Sequence, residues 1–375
     1  MSFKGLFKYF LIWQVMIIAV VTLASGILPL RESDTYLGAS ISGYLKNPVL
    51  NFRSNFDGVH YVLIAAQGYN YGQQAFFPLY PKLIHFFHRY YPNPIIIGVV
   101  INSISFFMAL FFLNKLIQLD YSSPVSKWTI LCLLIFPTSF FYSAVYTEGL
   151  FFLLVILSFY LVRTRHLWLG CIFAALAGYT RLVGIFLFPA LLIEILSLYH
   201  LSPLKEQCKK LIPLAIVPLG LLIYMYYLHE TTGDPLNFYH MQSAFQQQRS
   251  THIILPYQVI WRYIKMIFMV NPLDFSYLTI WLEFLTGITF ITLSIISILK
   301  QRLSYAIFNL FALMLPTLTG IFTSLPRYVL ICFPVFILAG QAMTANKYLR
   351  VFILVTSGLL WIVYLSLFSR GYWVA

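Results

Sequence analysis

Long apolar runs, cut by short polar breaks, organise almost the whole chain. Taken in order, they predict helices near 9–30, 94–118, 128–145, 148–162, 167–181, 183–199, 211–228, 276–299, 303–323, 328–344 and 349–368. Runs of about 17–25 apolar residues mark helices that cross a bilayer. Several of these are shorter, and Pro137, Pro189, Pro213, Pro218, Pro316 and Pro334 fall inside them or at their ends. Broken or tilted helices are therefore expected. The stretches 31–93 and 229–275 lack such runs. Within them, 59-VHYVLIAAQGY-69 and 257-YQVIWRYIKMIF-268 place apolar residues at helical spacing. Each reads as an amphipathic helix in the headgroup layer, the second with Arg262 and Lys265 turned to lipid phosphates. No internal repeat is visible, which weakens a reading as a transporter built from inverted halves.

Composition narrows the class. Of 375 residues, 60% are hydrophobic and only 9% charged, against roughly 25% charged in a soluble domain. The expectation is an all-α polytopic membrane protein with about eleven transmembrane helices, residues 1–375 forming a single transmembrane domain. The first run follows Lys4 and Lys8. It exceeds the ~7–15 residues of a signal-peptide core and is read as an uncleaved helix with its N-terminus inside. The four cysteines lie far apart and suggest neither a disulfide framework nor a metal site.

The formal charge of +13 does not call for a nucleic-acid partner. Starting inside, the connections 119–127, 163–166, 200–210, 300–302 and 345–348 and their margins carry Lys115, Lys127, Arg163, Arg165, Lys205, Lys209, Lys210, Lys300, Arg302, Lys347 and Arg350. That is the positive-inside pattern. The opposite face receives eight of the eleven acids: Glu32, Asp34, Asp57, Glu148, Glu230, Asp234, Asp274 and Glu283. Polar chemistry is thus sorted to the extracytoplasmic side.

A few residues there can carry chemistry. Asp57 opens Asp-Gly-Val-His and reads either as a helix N-cap or as a reactive carboxylate at the membrane surface. His60, three positions on, is either a packing residue or part of the same face. Glu148 lies between two apolar runs with no cation nearby in sequence. A carboxylate at a bilayer centre costs roughly 2.5–3.5 kcal/mol on insertion scales, so such a group faces a polar cavity or finds a partner. Arg181, in a turn on the same side, is its natural partner or a snorkelling cation. Arg327 repeats the situation, and Arg370 reads as an anchor of the C-terminus beside Tyr372 and Trp373. Cations suit a phosphate, aromatic rings suit a sugar or lipid, and an acid can take a proton from an attacking hydroxyl. No metal cluster, Gly-rich phosphate loop or Ser-His-Asp arrangement competes.

The blocks 56-FDGVHYVLIAAQGY-69, 76-FFPLYPKL-83, 136-FPTSFFYSAVYTEGLFFLL-154, 174-AALAGYTRLVGI-185 and 324-SLPRYVLICFPVF-336, taken in order, resemble the PIG-V family of mannosyltransferases. That family includes the enzyme adding the second mannose of the glycosylphosphatidylinositol anchor, and shorter prokaryotic relatives. The resemblance implies the GT-C glycosyltransferase architecture, with 31–93 as the first extracytoplasmic active-site loop and 229–275 as a second long outer segment. It implies a polyprenyl-phosphate sugar donor, no cofactor or metal, and a catalytic base at the position of Asp57. Many relatives have Arg-Trp-Asp where this chain has Asn55-Phe56-Asp57, so substrate contacts there are expected to differ. The shorter chain points to a bacterial or archaeal plasma membrane.

The expected activity is inverting transfer of mannose, or a similar hexose, to a lipid or other glycan acceptor. Asp57 would serve as base, with His60, Tyr80, Glu148, Arg181 and Arg327 as substrate-binding residues. The expected partners are membrane lipids, the lipid-linked donor and a glycolipid or glycan acceptor; a small membrane subunit stays open. The alternatives are a flippase for a lipid-linked sugar and a non-catalytic membrane protein.

Overall fold

The computed structural model describes residues 1–31, 37–38, 40–241 and 254–374. Glu32 and Asp34, two of the acids assigned to the outer face, lie outside the described residues. Among the described residues there is no strand. Helix α1 (Phe3–Ile27) starts at Ser2, whose hydroxyl accepts the Gly5 N–H. The short helices α2 (Ile41–Lys46), α3 (Pro48–Asn51), α4 (Asp57–Gln67) and α5 (Leu79–His88) follow. Next come α6 (Pro94–Ile117), α7 (Ser123–Leu134), α8 (Glu148–Arg163), α9 (Leu167–Gly178), α10 (Leu187–Leu198), α11 (Leu204–Leu211) and α12 (Leu219–Thr232). The remainder comprises α13 (Asn237–His240), α14 (Pro256–Met269), α15 (Phe275–Lys300), α16 (Leu303–Thr317), α17 (Leu325–Tyr328), α18 (Phe333–Ala345) and α19 (Lys347–Ser369).

Each predicted run has a helical counterpart, but the count of eleven crossings is not reproduced. Among the described residues, five helices are long and apolar enough to cross a membrane, or six if Leu325–Ile331 and Phe333–Ala345, bent by 81°, form one span. Part of the shortfall follows the prolines, and part the shortness of α8 (16 residues) and α9 (12 residues). The run predicted at 128–145 stops at Leu134 ahead of Pro137, and 303–323 stops at Thr317 beside Pro316. A proline removes a backbone donor and clashes with the preceding turn. The two predicted amphipathic helices are present as α4 and α14. Arg262 departs from its expected role: its Nη1 donates inward to the Gly320 carbonyl at 2.9 Å.

Residues 137–147 are buried and non-helical apart from a short 3₁₀ turn at Ser139–Ser143. Irregular backbone at membrane depth survives only when protein satisfies it. Here Asn102 of α6 does so: its Nδ2 donates to the Phe141 and Ala144 carbonyls, both at 2.8 Å, and its Oδ1 accepts Gly149 N–H at 2.6 Å. The buried Arg53 adds a bond from Nη1 to the Ser143 carbonyl at 2.5 Å and another to the Ser143 hydroxyl. Burial pulls the Arg53 guanidinium down to about 10.

The opposite end of α8 meets a second polar cluster. Arg163 pairs with Asp120 at 2.6 Å and with Glu194 at 3.2 Å, and Arg302 reaches the same two acids at 3.1 and 3.3 Å. Ser304 donates to Glu194 as well. Residues 148 and 163 stand fifteen rises apart, roughly 22 Å along the helix. Helix α8 therefore separates a lysine- and arginine-rich end from the end that holds the candidate site.

Candidate active site

Four charged side chains from distant parts of the chain meet in one cavity: Asp57, Glu148, Arg181 and Arg327. Asp57 is the first residue of α4, and the residue before it, Phe56, takes φ 54° and ψ −120° and makes no side-chain cap bond. A bulky residue in that region stores strain of order 1–3 kcal/mol. The ring is held by Phe368 at 5.5 Å and Trp373 at 5.1 Å. Asn55 is pinned beside it, donating to the Phe368 carbonyl at 3.0 Å and accepting Gly38 N–H at 3.1 Å. The outcome is a carboxylate turned away from capping and toward a cation: Asp57 Oδ2 accepts from Arg327 Nη1 at 2.6 Å.

Arg327 sits on α17, and that turn likewise follows a strained residue, Ser324 at φ 65°. Its guanidinium is 4% exposed and lies 5.2 Å from the rings of Tyr146 and Tyr328. Thr138 donates to the Pro326 carbonyl at 2.6 Å, tying the turn to the irregular 138–147 stretch. Glu148, 2% exposed, opens α8. Its Oε1 accepts from Arg181 Nη1 at 2.9 Å and stands 3.5 Å from Arg327 Nε, while its Oε2 has no hydrogen-bond partner among the described residues. Arg181 follows the end of α9 and lies 5.3 Å from the Tyr328 ring. The predicted Glu148–Arg181 pair is present, and Arg327 extends it to a neutral set of two acids and two bases.

The other two predicted residues sit elsewhere. His60 stacks on Phe76 at 4.9 Å and is not among the residues that line the cavity. Burial lowers its pKa, partly offset by Asp57. Tyr80 is fully buried behind the wall, donating to the Gly98 carbonyl at 2.9 Å. It therefore serves packing between α5 and α6 and touches no cavity space. Tyr61, one position past His60, takes the wall position instead, with Phe76, Phe77, Tyr146 and Tyr328. Burial first, then the Glu148 charge, pushes the Tyr61 hydroxyl up, so it stays a hydrogen-bond donor. These aromatic residues carried no distinct signal in a chain with 27 tyrosines and 35 phenylalanines. Asn102 did carry one, as a polar residue inside an apolar run. Among the described residues, no group of three or more His, Cys, Asp or Glu side chains gathers as a metal site.

The profile of the mannosyltransferase (PIG-V) family matches residues 3–235, which include Asp57, Glu148 and Arg181. The chain belongs to that family. Membership carries glycosyl transfer as the class of reaction. Arg327 lies beyond the matched residues. No curated protein matches the sequence of this PIG-V family member. Among solved structures, ArnT from Cupriavidus metallidurans bound to undecaprenyl phosphate is similar over 97% of this chain and 76% of that one, at 10% identity and a TM-score of 0.41. A likeness that distant transfers no residue roles.

Proposed function

We propose that this protein is an inverting glycosyltransferase that moves mannose, or a similar hexose, from a polyprenyl-phosphate to a hydroxyl of a lipid or other glycan acceptor on the extracytoplasmic face. The observation that carries the reading is the convergence of Asp57, Glu148, Arg181 and Arg327 on one aromatic-walled cavity. In the reaction, the bond from the sugar's anomeric carbon to the phosphate oxygen breaks and one to the acceptor oxygen forms. The acceptor's proton passes to Asp57. The departing polyprenyl phosphate gains a negative charge, which Arg181 and Arg327 offset. Arg327 Nε makes no hydrogen bond among the described residues, so it retains a donor for that phosphate while Nη1 holds Asp57. Guanidinium forks match phosphate oxygens in geometry and charge. Glu148 orients Arg181 through Oε1 and offers Oε2 to a sugar hydroxyl.

The test is transfer from polyprenyl-phosphate mannose to a total lipid extract by purified protein in lipid, comparing wild type with Asp57→Asn at matched folding. A positioned general base contributes about 10²–10⁴ in rate, and a loss of that size is expected. Equal product from both proteins removes Asp57 from the mechanism. Exchange of intact donor between the two membrane leaflets, without transfer, would favour a flippase.

A further inference from the structure

Resting on the donor reading above, we propose that Glu283 and Tyr263 form a clamp that positions Arg327 for the donor phosphate. Glu283 lies in the long helix α15 and is 4% exposed. A carboxylate at that depth requires partners. Its Oε2 accepts from the Tyr263 hydroxyl at 2.6 Å, and its Oε1 accepts the Ser324 N–H at 3.2 Å. The Tyr263 oxygen in turn accepts the Phe322 N–H at 3.1 Å. One carboxylate and one phenol thus hold two backbone donors of the segment that leads into α17.

The segment is tied on either side as well. Ile254 N–H donates to the Leu318 carbonyl at 3.0 Å, and Arg262 Nη1 holds the Gly320 carbonyl. Helix α15 leaves no space behind it: a Cβ on Gly287 would meet the Phe322 ring at 2.7 Å. Ser324, whose N–H the carboxylate holds, is the left-handed residue three positions before Arg327. A non-glycine residue rarely keeps that conformation unless its surroundings fix it, and a hydrogen bond to an ionised acceptor is stronger than one to a neutral group. Glu283 therefore sets the direction in which α17 leaves the loop, and with it the reach of the Arg327 guanidinium. It touches no cavity space itself, so its role is positioning. Helix α14 acquires a role through the same contacts: the amphipathic element of the second outer segment supports the site from outside.

The experiment uses the full chain in lipid nanodiscs. Tyr263→Phe removes one hydroxyl at constant volume, and Glu283→Gln tests the charge; if the latter fails to fold, the former decides. Amide exchange at Phe322 and Ser324 should quicken at least tenfold in both variants, while Gly58–Tyr61 and Gly149–Phe151 stay unchanged. Binding of polyprenyl phosphate, measured against neutral polyprenol, should weaken about tenfold. In an Arg327→Ala background the same substitutions should cost no further binding. Unchanged exchange at Phe322 and Ser324 overturns the clamp. A full tenfold loss persisting in the Arg327→Ala background overturns positioning and leaves a merely structural role. A wild type that does not prefer polyprenyl phosphate to polyprenol defeats the donor reading instead, and the exchange measurement still decides the clamp.

Discussion

Removing Glu148 tests whether the four charges act as one unit. At 2.9 Å from Arg181 Nη1 and 3.5 Å from Arg327 Nε, the carboxylate has attractions of about 6 and about 5 kcal/mol at an effective dielectric near 20. Desolvation of a side chain only 2% exposed takes back much of this, and loss of one member of a buried pair typically costs about 3–5 kcal/mol. Two features move the expectation to the lower end. Glu148 Oε2 has no partner to lose, and the Arg181 side chain is 15% exposed, so water can reach it in the variant. Glu148→Ala is therefore expected to destabilise the fold by about 3 kcal/mol. Arg181→Ala should cost a similar amount. The double variant should fall short of the sum by about 2 kcal/mol, because neither single change leaves its partner satisfied. Reversible unfolding in mixed micelles supplies the three values. Additivity within about 0.5 kcal/mol, or a cost below about 1 kcal/mol for either single change, would falsify the coupled-cluster argument.

At the other end of α8, Glu194→Gln removes the acid shared by Arg163 and Arg302. It should lower stability by about 3 kcal/mol while transfer per folded molecule stays at the wild-type rate; a fall in that rate would show that the two ends communicate. Gly149→Ala would place a Cβ 2.4 Å from both the backbone oxygen and Oδ1 of Asn102. Helices α6 and α8 must part to admit it, a strain of about 1–3 kcal/mol or more, and Glu148 moves with them. Transfer should drop, and Asn102→Ala should not rescue it because the backbone oxygen remains. His60 should make stability pH-dependent in mild acid. Its folded pKa is lowered, so the unfolded chain takes the proton first: the contribution is complete above about 6.5 and is lost as pH falls through the folded pKa. Melting temperatures of wild type and His60→Gln between pH 7.5 and 5 check this, and parallel curves would exclude the residue as the source.

The four charged residues that meet in the cavity were legible because a chain this apolar has few places for a charge. Asp57, Glu148, Arg181 and Arg327 each stood at a break between runs on one face, and the cavity gathers them. Which neighbour lines the wall was not legible. Spacing along α4 left His60 as a candidate, yet Tyr61 faces the cavity, since α4 starts from the strained Phe56 and its rotation depends on contacts with Phe368 and Trp373, more than 300 residues away. The placement of Tyr80 was not legible either: a Tyr in a proline-rich outer segment can face the cavity or pack, and its bond to the Gly98 carbonyl of α6 holds it in the packing. Apolarity reports burial as well as lipid contact, so an apolar run alone does not fix a crossing. The 137–147 stretch, predicted in part as a span, is buried in protein and forms only a short 3₁₀ turn.

The two clusters on α8 contain similar residue types but are built differently. At the Arg163 end, Asp120 accepts two hydrogen bonds from Arg163, and both acids face both arginines. At the Glu148 end, a carboxylate oxygen and an arginine Nε are buried without hydrogen-bond partners among the described residues; backbone strain occurs at both ends, at Phe56 and Ser324 here and at Arg165 beside Arg163. Leaving a buried polar group unsatisfied costs about 1–3 kcal/mol, and evolution had a satisfied alternative available in the same helix. Unmet hydrogen bonds thus fall where substrate oxygens would complete the set, and none occurs among the described residues of the cluster that ties Arg163 and Arg302 to Asp120 and Glu194. That contrast distinguishes a site from a staple even though both read as buried salt bridges.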